Sequence, residues 1–105
     1  MYLGIKKYFS FLHDLYGFYI CDKSVFGSYY LFEWTNGIIN ISVLYDFRED
    51  DPMTITIFEA DSFPWFGTKY THELACTCKR GKPKVKYAAD WLREAIQTGK
   101  IKITG

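Results

Sequence analysis

Tyr29-Tyr30-Leu31-Phe32-Glu33-Trp34-Thr35-Asn36-Gly37-Ile38-Ile39-Asn40-Ile41-Ser42-Val43-Leu44-Tyr45, residues 29–45, is the stretch that decides the fold. Asn-Gly is the preferred pair for a two-residue type I′ turn, and alternating apolar segments flank it on both sides. A two-residue loop sets Thr35 opposite Ile38, then Trp34 with Ile39, Phe32 with Ile41 and Tyr30 with Val43. Because side chains alternate with period two, these pairs share one wholly apolar face. The other face carries Glu33 across from Asn40, Leu31 across from Ser42 and Tyr29 across from Leu44, half polar and turning apolar toward one end.

Outward toward the C-terminus, Arg48-Glu49-Asp50-Asp51-Pro52 reads as a turn, and Met53, Ile55 and Ile57 alternate with Thr54, Thr56 and Phe58 as the third strand of an antiparallel meander. An aromatic loop, Ser62-Phe63-Pro64-Trp65-Phe66-Gly67, follows. Tyr70, His72, Leu74, Cys76 and Cys78 then alternate as a fourth strand, with a short helix opening at Thr71 as the alternative. Val85, Ala88, Ala89, Leu92, Ala95 and Ile96 recur at helical spacing behind Pro83, a residue suited to a first turn, and Gly99 ends that helix. Lys100 to Thr104 alternates like a short edge strand guarded by lysines.

Toward the N-terminus, Phe18 to Cys21 reads as a short strand or extended crossover. Ile5, Tyr8, Phe9, Leu12, Leu15 and Tyr16 form the apolar stripe of one helix over residues 5–16, closed by Gly17 in the left-handed C′ position. Lys6 and Lys7 fall in its first turn, against the helix dipole. The chain therefore reads as a single α+β domain, residues 1–105, with an antiparallel β-meander of three to five strands packed with an N-terminal and a C-terminal helix.

Composition agrees with a folded core: 49% of residues are hydrophobic, 24% charged, and three Trp, nine Tyr and nine Phe make 20% of the chain aromatic. Disorder is excluded at that hydrophobic content. Three cysteines, Cys21, Cys76 and Cys78, cannot all pair within one chain, which points to a reducing, cytoplasmic setting. A lysine pair before Tyr8-Phe9-Ser10-Phe11-Leu12 imitates a signal peptide until His13-Asp14 cuts the apolar run, and no small-residue cleavage site follows. The longest uncharged stretch, Trp34 to Tyr45, is too short and too polar to span a bilayer.

The residues that could carry chemistry form no recognised constellation. Cys76-x-Cys78, with His72 and Cys21 as companions, has one intervening residue where structural zinc pairs use two to four, so buried apolar cysteine is the preferred reading. A Cys–His dyad rests on no spacing, and phosphate-cradling glycine loops are absent. No enzyme activity, cofactor or metal is expected.

Charge is laid out unevenly behind a net charge of +1. Residues 46–61 hold Asp46, Glu49, Asp50, Asp51, Glu59 and Asp61 against Arg48 alone, while residues 79–105 hold eight bases against Asp90 and Glu94. Solvated turns explain such clusters, and so does electrostatic docking, in which complementary charge speeds encounter and selects partners. Aromatic anchors for a docking surface are available in Trp65 of the loop and in Tyr87 and Trp91, four apart on the second helix and beside its apolar stripe. The alternative use of the basic segment 79–86 is nucleic-acid binding, with Lys79, Arg80, Lys82, Lys84 and Lys86 on phosphates and Tyr87 stacking a base. The acidic belt opposes that use.

An opening helix ending in Leu15-Tyr16-Gly17-Phe18, the Tyr29 to Arg48 hairpin, a further strand and a closing helix together resemble the small immunity proteins of bacterial contact-dependent growth inhibition and other polymorphic toxin systems. Residues 9–59 carry the likeness. It implies a noncatalytic, cytoplasmic protein that binds one cognate toxin domain, often a nuclease, and covers its active site; no functional residue is transferred by motif. Joined to the charge layout, it makes Asp46, Glu49, Asp50, Asp51, Glu59 and Asp61, with Trp65, Tyr87 and Trp91, the candidate partner-binding residues. Carboxylates in that set would imitate the phosphates of a nuclease substrate. Neither membrane nor nucleic acid is expected as a partner.

Overall fold

In the computed structural model, which describes residues 2–27, 29–46, 53–59, 69–74 and 82–103, the hairpin is part of a five-stranded antiparallel sheet. Its strands are β1 (Tyr19–Phe26), β2 (Tyr29–Thr35), β3 (Ile39–Asp46), β4 (Met53–Glu59) and β5 (Lys69–Leu74). They lie side by side in chain order, consecutive strands being hydrogen-bonded to each other. Helices α1 (Tyr2–Tyr8) and α2 (Phe11–Tyr16) precede the sheet and α3 (Lys82–Gln97) follows it. The fold is α+β, and one apolar cluster joins all three helices to a single face of the sheet.

The turn is centred one residue later than the Asn36-Gly37 loop expected: the Asn36 N–H donates to the Ile39 carbonyl at 3.2 Å, enclosing Gly37 and Ile38. Thr35 pairs with Asn40, Trp34 with Ile41, Phe32 with Val43 and Tyr30 with Tyr45. The cause is the Asn36 side chain: its Oδ1 accepts the main-chain N–H groups of Ile38 (2.9 Å) and Ile39 (2.8 Å), which holds Ile38 in the turn and Ile39 at the start of β3. Thr35 Oγ1 accepts the Gly37 N–H at 3.1 Å. A slip of two residues leaves every side chain on its expected face, whereas a slip of one would have turned the apolar set to solvent. Phe32, Trp34, Ile41, Val43 and Tyr45 are all buried, as are Met53, Ile55 and Ile57 of β4. Each of the larger ones contributes about 1.5–3 kcal/mol by leaving water.

Against this face lies α3, whose Val85, Ala88, Ala89, Leu92, Ala95 and Ile96 are buried as their spacing requires. The N-terminal segment departs from its expected single helix. It breaks at Phe9-Ser10, where Ser10 Oγ donates to the Lys7 carbonyl at 2.8 Å. Phe9 and Phe11 are both buried, and one straight helix would aim residues two apart about 200° from each other. The break resolves that conflict and turns Leu15, expected in the apolar stripe, out to 53% exposure. Because α1 starts at Tyr2, Lys6 and Lys7 occupy its last turn rather than its first, where positive charge favours the dipole.

Both α2 and α3 are followed by a glycine in the left-handed region, Gly17 at φ 74° and Gly99 at φ 79°. In each case a later apolar residue sends its N–H back to the helix: Phe18 to the Leu12 carbonyl at 2.9 Å and Ile101 to the Ala95 carbonyl at 3.0 Å. Phe18 and Ile101 are buried by these reversals. Residues 100–103 therefore form a docked coil and not the expected edge strand. At the other alternative, the structure gives strand for Lys69–Leu74 and not a helix from Thr71. The Arg48–Pro52 turn, the Ser62–Gly67 loop and residues 75–81 lie outside the described residues.

Candidate functional site

Gly17 redirects the chain so that Phe18 points inward, Tyr19 outward and Ile20 opposite Trp34 across β1 and β2. Between this corner and the helices lies a cavity of about 270 Å³ lined by Lys6, Ser10, His13, Asp14, Phe18, Tyr19, Ile20 and Trp34. Its floor is aromatic and fixed. Trp34 is 2% exposed and stacks on Phe9 at 5.5 Å and on Phe32 at 5.6 Å between ring centroids. Its mouth is polar: Lys6, Ser10 and His13 fall at i, i+4 and i+7 along the two N-terminal helices, and His13 Nδ1 meets Asp14 Oδ1 at 3.2 Å. Lys6 has no ion-pair partner among the described residues.

Exposed apolar groups gather at the same end of the sheet. Tyr19, 58% exposed, pairs with Thr35 at the foot of the β2–β3 turn, and Ile38 within that turn is 49% exposed. Leu15 is only four residues from Tyr19, a span of at most about 14 Å. The bridge between Ile39 and Glu59 puts Glu59 at this end too.

Of the residues expected to bind a partner, Glu59 and Asp46 are thus separated: Asp46 ends β3 opposite Tyr29, at the far end of the antiparallel pair. The distance along the strands is roughly 20 Å, so the two do not form one acidic patch. Glu49, Asp50, Asp51, Asp61 and Trp65 lie outside the described residues. Tyr87 and Trp91 have parted company. Tyr87 is 42% exposed, whereas Trp91 packs against the core with Lys100 Nζ 5.1 Å from its ring centroid.

The basic segment is partly consumed by the fold. Lys84 is 1% exposed, and Lys86 Nζ donates to Asp90 Oδ2 at 2.8 Å, a contact that raises its pKa. Neither lysine presents a free charge to a phosphate backbone. Cys21 is the extra residue of a β-bulge between Ile20 and Asp22. Burial pushes its thiol up to about 11, aided by a hydrogen bond to Glu33 Oε2 at 3.4 Å and by that carboxylate's charge. His72 sits in β5 opposite Ile55, and Cys76 and Cys78 lie outside the described residues. Among the described residues no three His, Cys, Asp or Glu gather as metal ligands, and no helix is long and apolar enough to cross a membrane.

Sequence reasoning missed the groove because it is assembled from two helices and two strands. The available signal was the polar row Lys6, Ser10, His13 on a helical segment otherwise read for its apolar stripe. Comparison with protein-family models, curated proteins and solved structures finds no match to this chain.

Proposed function

We propose that the chain is a noncatalytic immunity protein that binds a cognate toxin domain, a nuclease among the candidates, and blocks its active site by protein–protein contact. One observation carries the binding part of this reading: Leu15, Tyr19 and Ile38 are exposed at the end of the sheet where the aromatic groove opens. Apolar and aromatic anchors inside a polar rim are the usual composition of an interface centre. The resemblance of residues 9–59 supplies the toxin as partner.

Co-expression tests the reading. The gene is placed with the C-terminal domain encoded by the adjacent reading frame, and survival that requires both genes, with a co-purified complex, is the expected result. Toxicity without rescue would reject the pairing. Within a complex, Tyr19→Ala is expected to weaken binding tenfold or more, about 1.4 kcal/mol or above. Charge reversal at Asp50 and Asp51 tests the acidic turn; loss of binding there with Tyr19→Ala silent would move the contact away from the groove.

A further inference from the structure

We infer that Asp22 and Lys23, one on each face of β1, keep the open edge of the sheet from pairing with a second copy of the chain, whatever partner the rest of the surface meets. β1 stands at the end of the strand order, with β2 on one side and no described strand on the other. Two residues separate Phe26 from Tyr29, so this pair closes the hairpin with hydrogen bonds. The alternation that follows turns the N–H and C=O groups of Val25 and Lys23 away from β2. Asp22 and Lys23 are exposed, and Val25 is 56% exposed. Unpaired main-chain groups beside an exposed valine are a template for another strand, and a second copy is always at hand. The bulge at Cys21 ends the regular pairing on one side and leaves residues 22–26 as the stretch able to pair.

Charge opposes that pairing on both faces. Lys23 pairs with Phe32 and shares the face on which Phe32 is buried, whereas Asp22 pairs with Glu33 on the opposite face. Two antiparallel copies of β1 continuing one sheet are related by a twofold axis normal to it, which sets one residue opposite its own copy. Centred on Asp22, that register brings two Asp22 carboxylates together with both Glu33 carboxylates behind them. Centred on Lys23, it brings two ammonium groups together. Centred on Ser24, it sets Lys23 across from Val25 and makes the two lysines diagonal neighbours at about 7–8 Å. Moving the centre to Val25 leaves only residues 24–26 to pair, at the short limit for a strand. Like charges directly opposite destabilise a strand pair, and a lysine on the covered face of an edge strand is a known bar to strand addition.

The test compares the native full-length chain with Lys23→Val, Lys23→Thr and Lys23→Arg. Valine and threonine are good strand formers, so neither change endangers folding of an exposed strand position. Light scattering behind size-exclusion chromatography reads self-association, and amide hydrogen exchange locates it. Lys23→Val and Lys23→Thr are each expected to self-associate about tenfold more tightly than the native chain, the scale of one or two cross-strand pairs. The amides of residues 23 and 25 should gain protection as concentration rises. Lys23→Arg, which keeps the charge, should behave as the native chain does. The inference is overturned if neither uncharged variant associates more tightly, if Lys23→Arg associates as they do, or if Lys23→Val alone associates, which would point to added apolar surface. Association that leaves the amides of residues 23 and 25 unprotected, or native chains already paired through those amides, would overturn it as well.

Discussion

The side-chain amide of Asn36 donates a 2.8 Å hydrogen bond to the main-chain carbonyl of Ile103, 67 residues along the chain. One residue thereby shapes the β2–β3 turn through its oxygen and anchors the segment after α3 through its nitrogen. Asn36→Ala removes three hydrogen bonds at once and is expected to cost about 2–4 kcal/mol, at roughly 1 kcal/mol each. Asn36→Asp keeps the acceptor and loses only the donor, so its cost should be clearly smaller. Urea denaturation of both variants checks the order; equal losses would show that the turn bonds contribute nothing.

The register of the central hairpin is open to direct test. Cross-strand Hα–Hα contacts in a nuclear Overhauser spectrum are expected for pairs such as Leu31 with Leu44 or Phe32 with Val43, according to which set is non-hydrogen-bonded. Leu31 with Ser42, or Phe32 with Ile41, would instead establish a turn on Asn36-Gly37.

Gly17 and Gly99 predict a purely conformational penalty. A Cβ added at either position meets nothing within 4 Å, yet φ is 74° and 79°. Replacement by alanine is therefore expected to cost about 1–2 kcal/mol at each site. Thermal melts of the single and double variants should show near-additive losses, since the two glycines close different helices. An unchanged melting temperature in either single variant would contradict the left-handed caps.

Cys21 is expected to be a slow nucleophile although its side chain is exposed. With its thiol pushed up to about 11, little thiolate exists at neutral pH, and only the thiolate reacts. Iodoacetamide should label it more slowly than a free thiol of ordinary pKa, and the rate should climb with pH toward 11. Glu33→Gln removes the neighbouring charge and should accelerate labelling, as read by peptide mass spectrometry at Cys21. The linkage has a definite sign. Folding holds this proton more tightly than the ordinary value of 9.0 implies, so the associated stability is complete below about 9 and is lost as pH rises through about 11.

The parts of the fold that were legible in the sequence are those in which period and local chemistry agree. The six apolar positions from Val85 to Ile96 repeat over about three turns, and every one is buried. The faces of the hairpin strands were legible for the same reason, but the position of the turn was not. Asn36-Gly37 favours a tight turn, and nothing nearby in the sequence announces that Asn36 would spend its oxygen on two N–H groups and its nitrogen on Ile103. The break at Ser10 was hidden because no glycine or proline marks it; burial of both Phe9 and Phe11, a tertiary demand, overrode the stripe. Lys100 to Ile103 alternates like a strand, but the reversal at Gly99 and the contact with Asn36 claim it first. Charge was the least readable feature. Neither the burial of Lys84 nor the separation of Asp46 from Glu59 follows from position along the chain.

Strand order that follows chain order has a kinetic consequence. Every strand can zip onto the one just made, so the sheet assembles through local closures, and low contact order of this kind favours fast folding. The contacts that span the chain, α1 against α3 and Asn36 to Ile103, bring the two termini under a shared lock and have the largest loops to close. They are expected to form after the rate-limiting barrier. In stopped-flow experiments Asn36→Ala should then speed unfolding far more than it slows folding. The hinge between turn and tail would act as a latch that sets how long the native state lasts, more than how quickly it is reached.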